Sequence, residues 1–216
     1  MSFDPPPPAK DRRVRRTRAA LLGAAIDLVS ARGTANVPVS DIADAAGVSR
    51  QLVYLHYGDR DSLLLEAALD LVRRELAEPW RQPPRKATTR DHALAVARHF
   101  AAHRAFYRAM FNSASAFALS RAVSGLLAPL RHGSLQTRFA EVLPPVLAAD
   151  LGAFINGGSA ALVYAWVTEG DEPLDPEAMA DRLLAVGQVL AAALGSLPQQ
   201  SKAEVPAQRA DLAPDS

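Results

Sequence analysis

The sequence of 216 residues contains no cysteine. This absence excludes disulfide frameworks, thiolate zinc sites and cysteine nucleophiles, and it is compatible with a reducing cytosol. No apolar run approaches the roughly 20 residues that a membrane-spanning helix needs. The chain starts with a Pro-rich and then Arg-rich segment, which is not typical of a secretory signal. We therefore expect a cytoplasmic protein with no membrane partner.

The chain also lacks a strong excess of charge of either sign, because its formal net charge is only +1. Its positive charge is concentrated locally instead. Between Lys10 and Arg18 six Lys and Arg residues accompany one acid, Asp11. A basic segment on a near-neutral chain indicates a surface that contacts an anion, although a solubilising tail explains it equally well.

The sequence is rich in the residues that form helices. Hydrophobic residues make up 49% of the chain and glycines number only 12, so a mainly disordered protein is excluded and helices are favoured. No period-2 strand pattern is evident, and we expect an all-α fold. Helical periodicity and capping residues predict helices over 11–32, 39–46, 50–57, 60–78, 88–103, 104–111, 115–131, 147–168 and 176–194, with a loop over 132–145.

The segment from Val39 to Tyr57 has the features of a helix-turn-helix. Two short helices that cross steeply need a small residue at their contact, which Ala43 supplies. The turn needs a residue that tolerates positive φ, which Gly47 supplies, and Ser49 can cap the following helix. The pattern predicts that the third helix presents one face to a nucleic acid.

That third helix can be divided into faces at about 100° per residue. Val53 and Tyr57 fall on the side expected to face the core, while the opposite side is expected to face a DNA major groove. Gln can pair with an adenine edge and Leu can contact a thymine methyl group, and the flanking polar residues suit phosphates. The groove-facing residues are Gln51, Leu52 and Leu55, and the phosphate candidates are Ser49, Arg50, Tyr54, His56 and Arg60.

From about residue 15 to residue 70 the sequence closely resembles the TetR/AcrR family. The motifs that carry the resemblance are Ile42-Ala43-Asp44-Ala45-Ala46-Gly47-Val48-Ser49 and Tyr54-Leu55-His56-Tyr57-Gly58-Asp59-Arg60-Asp61-Ser62-Leu63. The resemblance implies an N-terminal three-helix DNA-binding domain and a C-terminal helical ligand-binding and dimerisation domain. We accordingly expect a disordered arm over 1–10, the helix-turn-helix domain over 11–58, a connecting helix over 59–78, the C-terminal domain over 79–197 and a disordered tail over 198–216.

The sequence departs from the family pattern in three ways. Pro38 replaces the hydroxyl residue that usually caps the second helix, so Ser40 is the substitute candidate for a phosphate contact. Gln51 and Leu52 replace small residues, so the operator sequence of relatives cannot be transferred to this chain. Tyr57 replaces a common Phe, a mild change. The resemblance also implies that the segment from Arg12 to Arg18 reaches a minor groove, with a solvated basic surface as the alternative.

His99 and His103 lie four residues apart on one predicted helix face. This spacing suits zinc, but no carboxylate or third ligand is evident nearby, so we expect no metal and no cofactor. Core or interface packing is the favoured interpretation of these residues, and a small-molecule site lined by imidazole and aromatic groups is the alternative. The candidate ligand-binding residues are His99, His103, Phe106, Tyr107, Met110, Phe117, Asn156 and Trp166.

The last two predicted helices are candidates for a dimer interface. Adjacent glycines at 157 and 158 inside an apolar helix cost roughly 1 kcal/mol each relative to Ala, which close approach of another helix would explain. The resemblance implies a four-helix interface between two copies, and packing within one chain is the alternative. The candidate interface residues are Gly157, Ala161, Met179, Leu183, Val186 and Leu190.

The sequence therefore predicts a homodimeric, sequence-specific regulator that binds double-stranded operator DNA. We expect a repressor that a small-molecule effector releases from its operator. No nucleophile with a placed base and no Gly-rich phosphate loop is evident, so an enzyme is not expected. The alternative is a helical protein-interaction module without DNA affinity.

Overall fold

The computed structural model describes residues 9–81, 87–127 and 143–195. The described residues form helices joined by short connections and contain no strand, which confirms the all-α prediction. The predicted tail over 198–216, residues 1–8 of the predicted arm and residues 132–142 of the predicted loop lie outside the described residues. Ala9 and Lys10, which were assigned to the arm, already belong to the first helix.

The N-terminal part consists of four helices. The fourth continues without a break from α-helical geometry through one π-helical segment into a last α-helical turn. It therefore extends two residues beyond the predicted connecting helix. The bounds are Ala9–Arg32 for α1, Val39–Ala45 for α2, Arg50–Tyr57 for α3, and Arg60–Val72, Arg73–Ala77 and Glu78–Trp80 for the three parts of α4.

The helix starts in this part follow the predicted caps. The Ser49 hydroxyl accepts a hydrogen bond from the backbone N–H of Leu52 at 3.2 Å, and an Asp59 carboxylate oxygen accepts one from the N–H of Ser62 at 2.7 Å. Such bonds satisfy amide groups that have no partner within the helix. Pro38 precedes α2 and makes no side-chain cap bond, so α2 depends on packing.

The N-terminal core is a layer of apolar side chains between α1, α2, α3 and α4. Ala25 and Val29 of α1 contact this core together with Ile42, Val53 and Leu63, and all of these residues are fully buried. Burial of a Val, Leu or Ile side chain stabilises a fold by roughly 1.5–3 kcal/mol. The same layer holds α3 in place, because Val53 anchors its inner face.

The C-terminal part contains five described helices. The Thr88 hydroxyl accepts from the N–H of Asp91 at 3.2 Å, and an Asp91 carboxylate oxygen accepts from the N–H of Thr88 at 2.8 Å, so the pair forms a capping box at the first of these helices. Asp175 begins the last one, since its Oδ1 accepts from the N–H of Glu177 at 2.9 Å. The bounds are Thr89–Ala102 for α5, Arg104–Phe111 for α6, Ala116–Leu127 for α7, Pro145–Glu169 for α8 and Pro176–Gly195 for α9.

Ion pairs set the register between α5 and α9. Arg90 lies 2.8 Å from Asp181, and Arg98 lies 2.7 Å from Glu177. Exposed pairs of this kind contribute at most about 1 kcal/mol each, so they align the helices more than they stabilise them. At the other side of the domain, the Arg104 Nε donates to the carbonyl oxygen of Val167 at 3.0 Å and fastens the end of α8 to α6.

Helix α8 is unusually apolar for a helix on the outside of one chain. By length and composition it could cross a membrane, since its mean hydropathy over 18 residues is 1.5, and only 11% of that window is buried. The structure differs here from the expectation that no apolar run approaches this length, because the segment stays apolar on average although it contains Asp150 and Asn156. Val163 and Val167 of α8 are nevertheless buried in the protein core, so one face of the helix is committed to the fold.

Candidate nucleic-acid interface

The outer face of α3 is exposed, and its inner face is buried. Leu55 is 78% exposed, and Gln51 is exposed beside it, whereas Val53 has no exposed surface. Tyr57 is half-buried and packs against the core. The predicted orientation of the helix is confirmed for these four residues. An exposed Leu beside an amide side chain matches the groups that contact base edges in a major groove.

Two left-handed glycines bracket α3. Gly47 has φ of +66° in the turn before the helix, and Gly58 has φ of +78° directly after it. Non-glycine residues rarely adopt this conformation because of their Cβ atom. The chain therefore enters and leaves α3 through sharp turns.

The residues predicted to contact phosphates lie along the edges of α3. Some of their side chains are exposed, and one is held by hydrogen bonds within the protein. Arg50, Tyr54 and His56 are exposed. The Arg60 guanidinium donates to an Asp61 carboxylate oxygen at 2.9 Å and to the Asn36 Oδ1 at 2.6 Å. The second partner was missed by the sequence analysis, because it lies 24 residues away. The guanidinium is thus held in place beside α3.

The two predicted serine contacts already have hydrogen-bond partners within the protein. The Ser49 hydroxyl oxygen accepts the cap bond of α3. Because Ser49 is exposed, its hydroxyl hydrogen can still donate to a group outside the protein. The Ser40 hydroxyl donates to an Asp41 carboxylate oxygen at 3.1 Å. Arg32 lies 2.7 Å from the same carboxylate group, and these two bonds hold the pKa of Asp41 below its usual value. Ser40 therefore stands next to a carboxylate that stays ionised.

The arginines of the basic segment at the start of α1 differ in whether they pair with an acidic residue. Arg13, Arg15 and Arg16 are exposed. Arg18 instead pairs with Glu66 of α4 and lies 4.0 Å from Asp70. The part of the segment that remains available to an anion is therefore its N-terminal portion.

The C-terminal part contains a cavity of about 680 Å³. Its walls come from the end of α4, from Phe111 at the end of α6 and from α5, α7, α8 and α9, and most of them are apolar. Trp80 and His92 lie on one wall with their ring centroids 3.7 Å apart. The polar side chains along the walls include Thr88, His92, Ser120, Ser124, Asn156 and Ser159. A cavity of this size and lining suits a small, largely apolar molecule.

Only Asn156 among the eight predicted ligand-binding residues lies in the wall of this cavity. Phe106, Tyr107 and Met110 are fully buried in the core, and Phe117 is 78% exposed on the outside of α7. The structure therefore does not bring the predicted set together around this cavity. The remaining three predicted residues are also outside the cavity wall: Trp166 is half-buried, and His99 and His103 contact α4.

His99 belongs to a buried hydrogen-bond network. Its Nδ1 lies 2.8 Å from the Glu75 Oε2 and its Nε2 lies 2.8 Å from the Tyr107 hydroxyl. Burial lowers the pKa of His99 to about 4, against the opposing effect of Glu75, so the imidazole is neutral at pH 7. Burial also raises the pKa of Tyr107, which remains a phenol. The sequence analysis paired His99 with His103 but missed Glu75.

The predicted dimer residues fall into two groups. Gly157, Ala161 and Val186 are exposed on α8 and α9. Met179 is buried in the core of its own chain, and Leu183 and Leu190 are half-buried in the cavity wall. A Cβ atom added at Gly157 or Gly158 would meet nothing within 4 Å, so no helix of the described chain approaches these glycines closely.

Comparison with known proteins agrees with the geometry of the N-terminal part. Residues 21–67 match the family described as bacterial regulatory proteins, tetR family. A segment of 56 residues is 43% identical to the HTH-type transcriptional regulator BetI of Agrobacterium fabrum, strain C58. That segment covers 26% of this chain and 27% of the relative, so it compares only about a quarter of either protein.

Solved structures extend the likeness to the fold of most of the chain. The dihydroxyacetone kinase operon activator DhaS superposes with a TM-score of 0.59 over 83% of this chain and 96% of its own, at 15% sequence identity. A TetR transcriptional regulator from Rhodococcus sp. RHA1 gives 0.54 over 82% and 98%, also at 15% identity. Residues 21–67 therefore carry a domain that matches the tetR family of bacterial regulatory proteins, and the solved structures show that most of the chain shares their fold.

Proposed function

We propose that this protein is a sequence-specific DNA-binding regulator of transcription. The observation that carries the proposal is the exposed face of α3, which presents Gln51 and Leu55 to solvent while Val53 anchors the helix. An exposed leucine in that position has no role in the fold of one chain, whereas it suits contact with a thymine methyl group. The family that matches residues 21–67 is described as one of bacterial regulatory proteins, which favours a regulator over an enzyme.

The positions along the edges of α3 support contacts to the DNA backbone. Arg50 and Tyr54 are exposed on one edge, and His56 is exposed on the other. Arg60 is held near them by Asn36. The predicted DNA-binding set, including Ser40, Ser49 and Leu52, therefore stays the proposed set, with α3 in the major groove and the flanking residues on phosphates.

We propose that two copies bind one operator and associate through α8 and α9. Phe154, Gly157, Ala161 and Tyr164 recur at helical spacing on one exposed face of α8, and Val189 is 69% exposed on α9. Small residues allow helices to approach closely, and apolar ones gain by leaving water. In the proposed interface, the residues of this face take the place of Met179, Leu183 and Leu190, which the sequence analysis had assigned to it.

We propose that the cavity binds the effector. Leu76 and Trp80, at the end of α4, form part of its wall, and α4 begins next to the DNA-contacting helix. A ligand in the cavity contacts the same helix that carries the N-terminal domain. It can release DNA only through a difference in its affinity for the DNA-bound and free arrangements. Repression relieved by the ligand is the proposed mode, although the neighbour DhaS is named an activator.

Selection from random duplexes tests DNA binding without knowledge of the operator. The full chain is incubated with a randomised library of about three turns of duplex, and retarded DNA is sequenced. We expect a palindromic site whose half-sites are about one turn, 34–36 Å, apart, and an affinity that falls with salt. Failure to enrich any sequence, together with no retardation at low salt, would favour the protein-interaction module.

A further inference from the structure

Glu75, His99 and His103 converge where α4 packs against the end of α5. Glu75 lies in the π-helical part of α4, His99 lies in the last turn of α5, and His103 caps that helix. One ligand atom from each of the three side chains lies within 4.8 Å of the other two. π-helical segments within α-helices occur frequently at functional sites. Two imidazoles and one carboxylate thus converge where α4, which connects the two parts of the protein, packs against α5.

We propose that these three residues form a site for a divalent transition-metal ion, with Zn²⁺ the best match. Zinc binds imidazole nitrogen and carboxylate oxygen, and two His with one Glu is a known ligand set for it. The oxygen-preferring ions Mg²⁺ and Ca²⁺ do not match a site with two nitrogen ligands. The proposal concerns binding alone and does not depend on the proposed DNA-binding function.

The distances support the site. His99 Nδ1 lies 2.8 Å from Glu75 Oε2, and His103 Nε2 lies 2.9 Å from the same oxygen. Ligand atoms at 2.0–2.2 Å from a tetrahedral zinc ion stand roughly 3.3–3.6 Å apart. The observed separations correspond to hydrogen bonds in which each imidazole N–H donates to the carboxylate. Displacing those protons and widening the separations by less than ~1 Å would create the coordination geometry.

Tyr107 acts as a positioning residue for His99. Its hydroxyl lies 2.8 Å from the His99 Nε2, on the side of the ring away from Glu75. Tyr107 is fully buried, so this bond fixes the ring with Nδ1 directed at the carboxylate. Metal-bound imidazoles usually make such a second bond through the other ring nitrogen. In the metal-bound form His99 Nε2–H donates to the phenol oxygen.

The cluster is also open on one side. The side chain of His103 is 25% exposed and that of Glu75 is 38% exposed, whereas that of His99 is 2% exposed. An ion can therefore enter from solvent, and a water molecule can occupy a fourth position. None of the three residues lies in the wall of the cavity, although their neighbours Leu76 and Phe100 do. The metal site is thus separate from the proposed effector site.

Metal binding is measured on the full chain after treatment with a chelator. Calorimetric titration with Zn²⁺ is expected to show one ion per chain, and Co²⁺ is expected to give the visible d–d absorption of a four- or five-coordinate site with nitrogen ligands. Glu75→Gln and His103→Gln each remove one ligand from a partly exposed position and are expected to lower the affinity for Zn²⁺ at least tenfold. Circular dichroism of each variant verifies that it is folded.

Glu78→Gln is the matched control for Glu75→Gln, because Glu78 is an exposed carboxylate of the same helix α4 that lies outside the cluster and outside the cavity wall. Its affinity for Zn²⁺ is expected to equal that of the unaltered chain. Three results overturn the proposal: no stoichiometric binding by the unaltered chain, retained binding by folded Glu75→Gln and His103→Gln, or equal loss in Glu78→Gln. The first of these needs no variant, so a variant that does not fold leaves the proposal testable. If the unaltered chain binds no Zn²⁺, the cluster is a hydrogen-bond network only.

Discussion

The backbone N–H of Val48 donates to the carbonyl oxygen of Ala43 at 2.9 Å and closes the turn between α2 and α3. The N–H of Gly47 donates to the carbonyl oxygen of Asp44 at 3.1 Å within the same turn. This pair of bonds around a left-handed residue is a Schellman motif. The motif sets the direction in which the chain enters α3, and it depends on the φ of +66° at Gly47.

Replacing Gly47 with Ala is expected to destabilise the protein by about 1–2 kcal/mol, since an L-residue with a Cβ atom is disfavoured in this conformation. Chemical denaturation followed by circular dichroism measures the effect. Gly23→Ala is the matched control, because Gly23 lies inside α1 and an added Cβ meets nothing within 4 Å. The control is expected to gain up to ~1 kcal/mol. Equal effects of the two changes would contradict the role of the turn.

Gln51→Ala and Tyr54→Phe are expected to affect DNA binding differently. Gln51 is proposed to read a base edge, so its truncation relaxes the preference at one position of the selected site and costs about 1–3 kcal/mol. Tyr54 is proposed to contact a phosphate, so loss of its hydroxyl weakens binding to all sequences to a similar degree. Competition mobility shifts with single-base variants of the site distinguish the two. If neither change alters affinity or preference, the assignment of the groove face is wrong.

Val189→Glu is expected to separate the proposed dimer. The new carboxylate enters an apolar interface twice, once from each copy, and a buried unpaired charge is strongly unfavourable. We expect the dissociation constant of the dimer to rise at least 100-fold, or about 2.7 kcal/mol, in sedimentation equilibrium. Val14→Glu is the control, because Val14 is also exposed but lies on α1. An unchanged Val189→Glu dimer would exclude this face of α9.

Ser124→Phe is expected to reduce the space in the cavity, because Ser124 lies in its wall. N-phenyl-1-naphthylamine, a neutral apolar fluorophore, is expected to bind the unaltered chain and to bind this variant about tenfold more weakly, or by roughly 1.4 kcal/mol. Phe117→Ser on the same helix is the control, since Phe117 is on the outside. If the control loses binding and Ser124→Phe does not, the ligand site lies where the sequence first suggested.

The cap of α4 is expected to make stability depend on pH. Hydrogen bonds from Ser62, above all from its backbone N–H, hold the pKa of Asp59 below its usual value. A group with a lowered folded-state pKa contributes stability above its unfolded pKa, and this contribution disappears as pH falls through the folded-state value. Thermal unfolding of Asp59→Ala is therefore expected to show a lower Tm at pH 7 and a smaller deficit near pH 3. A deficit that is constant with pH would show that charge plays no part in the cap.

The local features of the fold could be predicted because each depends on a few neighbouring residues. Ser49, Asp59 and Asp175 begin helices as predicted, since a cap bonds to backbone only two or three residues away. The orientation of α3 followed from the helical period, because the segment has only one apolar side. The exposed face of α3, on which the proposed DNA interface rests, could be predicted for the same reason.

The C-terminal sites could not be predicted in this way. Phe117 and Tyr107 are both aromatic residues on apolar helices, yet one is exposed on the surface and the other is buried beside His99. Helical periodicity shows which residues share a face, but it does not show which of several apolar faces borders a cavity. That distinction depends on how helices from distant parts of the chain pack together.

The amino-acid order by itself determined the helices, their caps, the turn at Gly47 and the exposed side of α3, since these arise from interactions within one or two helical turns. Tertiary structure alone decided that Glu75 stands beside His99 and His103, that Asn36 holds Arg60, and that empty space lies along Ser124 and Asn156. Such contacts join residues far apart in the chain. They exist only after the apolar faces have been buried against one another, and pattern within a single helix does not encode them.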